Sequence, residues 1–160
     1  MDYLWTPWRY QYITTTGEAG ECVFCAAARA TDDKAWLVVH RAARNFVILN
    51  RYPYTSGHIM VVPYEHAATL EELPDDTLME LILLARAAEK HLRAIYRPEG
   101  LNLGLNIGRS AGAGIAGHVH LHILPRWRGD TNFMTVTAET RVLPEDLEVT
   151  WERVRAAFAA

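Results

Sequence analysis

Cysteine is almost missing from this chain: among 160 residues there are only Cys22 and Cys25, and both belong to one C-x-x-C. One pair cannot build a disulfide framework, so the fold must rest on a hydrophobic core, for which this length is ample. The pair itself has two readings, a redox dithiol or half of a metal site. Long apolar runs are also missing. No stretch approaches the roughly 20 residues of a membrane-spanning helix, and the opening Met1-Asp2-Tyr3-Leu4-Trp5 has no basic region leading into an apolar segment. The expectation is a cytoplasmic protein without a membrane partner. Nor does one charge sign dominate: 16 Lys and Arg against 19 Asp and Glu leave a net charge of −3, which argues against a broad nucleic-acid surface. Any anionic ligand must be held by a local site. Internal repeats, linkers and low-complexity stretches are absent, so residues 1–160 read as a single domain.

What is present is patterned. Residues 1–20 form an aromatic arm (Leu4-Trp5-Thr6-Pro7-Trp8-Arg9-Tyr10) ending in a Gly17–Gly20 turn. Strands are expected at Trp36–His40, Asn45–Leu49 and His58–Pro63, with Asn50, Pro53, Ser56 and Gly57 turning the chain between the last two. Leu73–Tyr96 reads as a long helix: Leu78, Leu81, Ile82, Ala85, Leu92 and Ile95 recur at helical spacing, Pro74-Asp75-Asp76 opens it, and Pro98 and Gly100 close it. A strand at Leu101–Ile107, a glycine-rich loop at Gly108–Gly117 and a strand at His118–Leu124 follow. Residues 130–160 form a C-terminal extension with one strand candidate, Phe133–Thr137, and a short amphipathic helix, Pro144–Phe158. An antiparallel sheet of about five strands, packed with one long helix and a short C-terminal one, is an α+β architecture.

The chemistry concentrates in His118-Val119-His120-Leu121-His122-Ile123-Leu124. Residues at i, i+2 and i+4 of a strand share a face, so three imidazoles line one side while Val119, Leu121 and Ile123 line the other. A metal site is the bland alternative, but at about 3.3 Å per residue His118 and His122 stand roughly 13 Å apart, too far for one ion to take all three easily. Imidazole can be a neutral nucleophile or a cationic anion binder near neutral pH. The preceding Gly112-Ala113-Gly114-Ile115-Ala116-Gly117 matches the dinucleotide fingerprint G-x-G-x-x-G, yet that fingerprint needs a helix after it and here a strand follows. The Rossmann reading fails on context. The glycines still free backbone N–H groups for an anion, which beside the histidines suggests phosphate chemistry.

His-x-His-x-His with apolar residues between resembles the signature of the histidine-triad (HIT) superfamily of nucleotide hydrolases and transferases. Leu49-Asn50-Arg51-Tyr52-Pro53 and Gly57-His58-Ile59-Met60-Val61-Val62-Pro63 resemble its nucleoside-binding strands, and Leu4-Trp5-Thr6-Pro7-Trp8-Arg9 with Pro125-Arg126-Trp127 is similar to the branch of diadenosine tetraphosphate phosphorylases. The resemblance implies the HIT fold and gives His120 the nucleophile's role, attacking the α-phosphorus to form a nucleotidyl-histidine, with a backbone carbonyl beside the strand holding the proton of the far ring nitrogen. It implies that His122 binds the non-bridging oxygens and that His58 supports the triad. Asn50 takes the ribose-binding position, and Asn106 with the Gly108, Gly112 and Gly114 backbone lines the phosphate path. Trp127 could stack on a base or wall in a phosphate chain. Arg109, Arg126 and Arg128 are nearby cations, of which Arg128 reads best as a solvated charge.

The same resemblance supplies partners for the C-x-x-C. In relatives that carry one, a structural zinc takes its other ligands from a histidine after the V-x-P turn and from the first triad histidine; here those are His66 and His118. Its implied activity is cleavage of a dinucleoside polyphosphate, most simply diadenosine tetraphosphate, with inorganic phosphate as acceptor, in a homodimer. Alternatives are a hydrolase of nucleoside polyphosphates or phosphoramidates, and a zinc-stabilised nucleotide-binding sensor without turnover. One departure stands out. Many members carry a Ser, Thr or Gln donor just before the triad, where this chain has Ala113-Gly114-Ile115. Backbone N–H groups or Ser110 would have to substitute.

Overall fold

Short alternating segments become five strands: β1 (Val38–Arg41), β2 (Asn45–Leu49), β3 (Ile59–Pro63), β4 (Gly100–Leu105) and β5 (Leu121–Arg126). Among the described residues three α-helices accompany them: α1 (Val23–Arg29), α2 (Asp75–Tyr96) and α3 (Leu147–Ala159). The computed structural model describes residues 21–130 and 145–159, so the arm at 1–20, the strand candidate Phe133–Thr137 and Pro144 lie outside the described residues. The strands form one sheet in the order β1-β2-β3-β5-β4, every neighbouring pair antiparallel. The expected α+β layout is therefore present.

Strand alternation divides the sheet into two buried faces. Val47, Leu49, Ile59, Val61, Leu121 and Ile123 point to one side, where Leu81, Leu84, Ala85, Ala88 and Leu92 of α2 and Val154 of α3 cover them. These α2 positions recur at three- and four-residue intervals, the spacing that makes one apolar stripe. Each large side chain fully buried there contributes about 1.5–3 kcal/mol. Phe46, Ile48, Met60 and Val62 point to the other side and pack on Phe24 and Ala27 of α1. Met60 pairs directly with His122. The histidines thus share the face covered by the short helix, with the long helix behind the sheet.

Helix α2 keeps the expected end at Tyr96 but begins at Asp75, because Leu70–Glu72 form a 3-10 turn and Pro74 takes the N-cap. Asp75 and Asp76 place negative charge in its first turn, where the dipole favours it. Arg97 ends it in a left-handed conformation (φ 45°) and Pro98 cannot continue it. Helix α3 closes the outer edge of the sheet: Trp151 Nε1 donates to Val38 O (2.9 Å) and Arg155 Nη1 to Val39 O (3.1 Å), occupying carbonyls of the edge strand.

Several strand boundaries differ from the sequence expectation. β1 begins at Val38, since Leu37 adopts φ 61° in the preceding turn. β4 stops at Leu105. The histidine strand enters the ladder only at Leu121; upstream, Val119 N–H donates to Ala67 O (2.7 Å) rather than to a neighbouring strand. Gly57, in the turn before His58, has φ 77°, and a Cβ there would sit 2.7 Å from Tyr96 Cε2. Both facts demand glycine at that point.

Candidate active site and metal centre

The turn that opens α1 carries Cys22 as its N-cap and Cys25 three residues on. Its cysteines meet two histidines from distant segments. Cys22 Sγ lies 3.4 Å from His118 Nδ1, Cys25 Sγ lies 3.2 Å from His66 Nδ1, and Cys25 Sγ lies 3.7 Å from His118 Nδ1. All four ligand atoms fall within 4.8 Å of one another. A tetrahedral zinc with Zn–S near 2.3 Å and Zn–N near 2.05 Å requires S···N edges of about 3.5 Å. The observed edges bracket that value, so the four residues fit the ion. His118 Nε2 lies 3.0 Å from Pro63 O; a carbonyl only accepts, so Nε2 holds the ring proton and Nδ1 offers its lone pair to the metal position.

The same device orients the next histidine. His120 Nδ1 lies 2.8 Å from His118 O, which again can only accept. The proton of a neutral His120 therefore sits on Nδ1, and Nε2 keeps its lone pair. His120 is only 5% exposed, and its ring rests on Phe24 at a centroid distance of 4.8 Å. Burial disfavours the cation and holds His120 below the ordinary histidine range. Sequence, packing and hydrogen bonding together yield a neutral imidazole with one reactive nitrogen.

His122 is set by a second chain of hydrogen bonds. Tyr54 N–H donates to His58 Nδ1 (3.2 Å), so His58 carries its proton on Nε2 and donates to His122 Nδ1 (2.9 Å). His122 accepts there and keeps its proton on Nε2. Its ring stands 4.8 Å from that of His120, centroid to centroid. One histidine of the pair thus offers a lone pair and its neighbour an N–H.

Burial, reinforced by neighbouring His120, pushes the His122 pKa down to about 4. An unfolded histidine titrates near 6.5, so between about pH 6.5 and 4 the unfolded chain binds the extra proton and the folded one does not. The stability contributed by neutral His122 is complete above about pH 6.5 and is lost as pH falls toward 4. Ring-nitrogen NMR shifts of His122 in the ligand-free protein are expected to stay constant down to about pH 5, whereas a midpoint near 6.5 would contradict the burial argument.

Other sequence candidates are placed as follows. Asn50 adjoins His58: its Nδ2 lies 3.3 Å from His58 Nδ1, its Oδ1 accepts from Tyr52 N–H (2.9 Å), and its own N–H donates to His58 O. Asn106 is half-buried and follows Leu105, the last residue of β4, which pairs with Leu121 of β5. Gly108 and Gly112 bracket the 3-10 turn Arg109–Ala111 with φ of 81° and 87°, as the loop requires of glycine. Ser110 is exposed, and Ala113 is buried. Trp127, one residue past the end of β5, meets Tyr96 of α2 edge-on (6.3 Å between ring centroids). Arg126 is paired with Asp130 and Asn102, and Arg128 pairs with Glu99.

Sequence reasoning expects a backbone carbonyl to fix the His120 tautomer without naming it, and the structure supplies that of His118; it missed the Pro63 carbonyl, the Tyr54 N–H and Phe24. Backbone groups leave no residue-type signal. Phe24 had one, since it lies inside the C-x-x-C and any segment bringing Cys22 and Cys25 to His118 must bring it too.

The HIT domain profile matches residues 33–129. An AP-4-A phosphorylase of Mycobacterium tuberculosis is 37% identical over 158 residues, covering 94% of this chain and 80% of the relative. An adenosine 5'-monophosphoramidase of Schizosaccharomyces pombe is 27% identical over 133 residues, 83% of this chain and 95% of the relative. Among solved structures, a zinc-bound histidine triad family protein from Mycobacterium smegmatis superposes with a TM-score of 0.69 at 28% identity, covering 87% of this chain and 94% of the other.

Proposed function

The chain belongs to the HIT domain family, and from that premise we propose that it is an enzyme that cleaves dinucleoside polyphosphates, diadenosine tetraphosphate above all, by phosphorolysis through a nucleotidyl-His120 intermediate. The observation that carries the reading is the tautomer pair: an Nε2 lone pair on His120 beside an Nε2–H on His122. In the first step His120 Nε2 attacks the α-phosphorus in line, an N–P bond forms, and the bridging P–O bond breaks to release ATP. His122 Nε2–H donates to a non-bridging oxygen as charge builds there. In the second step an oxygen of inorganic phosphate attacks the same phosphorus from the vacated side, the N–P bond breaks, and ADP leaves. His120 keeps its Nδ1 proton on the His118 carbonyl throughout. Asn50 would hold the ribose hydroxyls, and Asn106 with the Gly108, Gly112 and Gly114 backbone the phosphate chain.

The leaving group favours a polyphosphate over a phosphoramidate. An amine departs from phosphorus only when protonated, which calls for a side-chain donor. Ala113-Gly114-Ile115 offers none. A polyphosphate departs as a stable anion and needs no proton, only N–H groups to bind it. The name of the Mycobacterium tuberculosis relative supports the same assignment.

Cys22, Cys25, His66 and His118 would hold a structural zinc, whose charge stabilises the two thiolates and ties α1 to the chain beside the nucleophile. A second copy of the chain is proposed to cover Met79, Ile82 and Leu83 of α2 and the edge strand residue Leu103, all exposed; a single-chain mass in sedimentation would refute it. Residues 1–160 are proposed as one domain working in the cytoplasm.

Product analysis tests the activity. With diadenosine tetraphosphate and inorganic phosphate, the expected products are ATP and ADP. ATP and AMP at an unchanged rate with or without phosphate would replace phosphorolysis by hydrolysis, and no cleavage under either condition would leave only a nucleotide binder.

A further inference from the structure

The C-x-x-C offers more chemistry than holding an ion. Cys22 and Cys25 are the chain's entire thiol complement, and their sulfurs already lie within 4.8 Å of each other. Neither is fully buried: both are partly exposed, and Cys25 faces His66, an exposed residue. On the opposite side of the same cluster His118 is fully buried, and its carbonyl accepts the proton that fixes the tautomer of His120. One residue therefore joins an accessible pair of sulfurs to the nucleophile.

We propose that Cys22 and Cys25 are a modification site for hydroperoxides, at which oxidation to a disulfide releases the metal and frees His118 from beside His120. This rests on the zinc reading above. One thiolate attacks the peroxide O–O bond and becomes a sulfenic acid as the far oxygen departs as water or an alcohol. The second thiolate attacks that sulfur, the S–S bond forms, and the sulfenic oxygen leaves as water. Two electrons pass from sulfur to the peroxide oxygens, two protons come from solvent, and the zinc departs as the divalent ion, having lost two of four ligands. The S–S bond needs a separation of about 2.05 Å, which side-chain rotation in an exposed turn can supply. His118 then keeps its bond to Pro63 O but nothing at Nδ1. The carbonyl that orients His120 belongs to a residue held on one side only.

The test uses the reduced, purified protein and hydrogen peroxide. Metal analysis before oxidant should find about one zinc per chain; finding none defeats the zinc reading, and this inference with it, before any peroxide is added. With zinc present, peroxide is expected to consume two thiols for each zinc released, to yield a Cys22–Cys25 disulfide in peptide mass spectra, and to lower the nucleotide-cleavage rate by about tenfold or more, as loss of a second layer of support around a site does. A dithiol reductant with added zinc should restore all three. Retention of zinc and both thiols at peroxide doses that oxidise the denatured chain would overturn the proposal, as would zinc release with an unchanged rate. Cys25→His keeps four donor atoms but only one thiol. Its zinc content should not respond to peroxide, and release matching that of the parent protein would show that the disulfide is not the trigger.

Discussion

Replacing His120 with alanine is expected to lower turnover by about 10⁴-fold or more, the scale at which enzymes lose activity when a nucleophile is removed, while nucleotide affinity changes only slightly. A backbone acceptor fixes the lone pair of both His118 and His120, but neither neighbour in the triad can replace His120: His118 directs its Nδ1 at the cysteines, and His122 uses its own Nδ1 to accept from His58. Removing the ring leaves a cavity beside Phe24 and is expected to cost about 2–3 kcal/mol of stability, so activity and binding should be compared well below the variant's melting temperature. Steady-state rates and calorimetric nucleotide titrations separate the two effects. Retained turnover would remove His120 from the mechanism.

Removing the metal should have the second-largest effect, on stability first. With free zinc at about a thousand times its Kd the bound ion contributes about 4 kcal/mol, and at about 2–4 °C per kcal/mol for a chain of this size Tm should fall by about 10 °C. Chelation and Cys22→Ser should give comparable drops, since each dismantles the same four-ligand set. His66 comes from the loop after β3, Cys22 and Cys25 from the start of α1, and His118 from the lead into β5, so the ion closes long loops in addition to the packing of Phe24 and Ala27 and the Arg41 hydrogen bonds that hold α1. Differential scanning calorimetry with and without chelator measures the drop. A variant lacking Cys22 that keeps both its metal and its Tm would contradict the site.

These expectations were legible in the sequence to different depths. Asn45–Leu49 is a strand at its expected bounds because a β-branched, apolar segment lies between turn-forming residues. The long helix was equally visible: Leu81, Ala85 and Leu92 of the expected stripe are buried, whereas Ile82 is exposed. Periodicity could not tell an extended segment from a paired one. His118–His120 alternates as a strand does, yet Val119 bonds to Ala67 and the ladder starts at Leu121. Helix α1 has seven residues, too few for a helical period to register. The residues of the candidate site were found by their types, but joining Cys22 to His118 across 96 positions required the family resemblance, since spacing alone carries no such information. Tautomers were visible only as a requirement on His120, not as named partners. They depend on the Pro63 and His118 carbonyls and the Tyr54 N–H, and every residue owns such groups. Trp127 lies past Arg126, where β5 ends, so strand parity does not place it; its ring meets that of Tyr96.

The central claim is that His120 bonds to phosphorus and is then displaced. The stereochemical course at the α-phosphorus tests it most directly, using a dinucleoside polyphosphate made chiral there with sulfur. Two successive in-line displacements, one by His120 and one by the acceptor, predict retention of configuration. Inversion would mean that the acceptor attacks the substrate directly, and it would contradict the nucleotidyl-His120 intermediate.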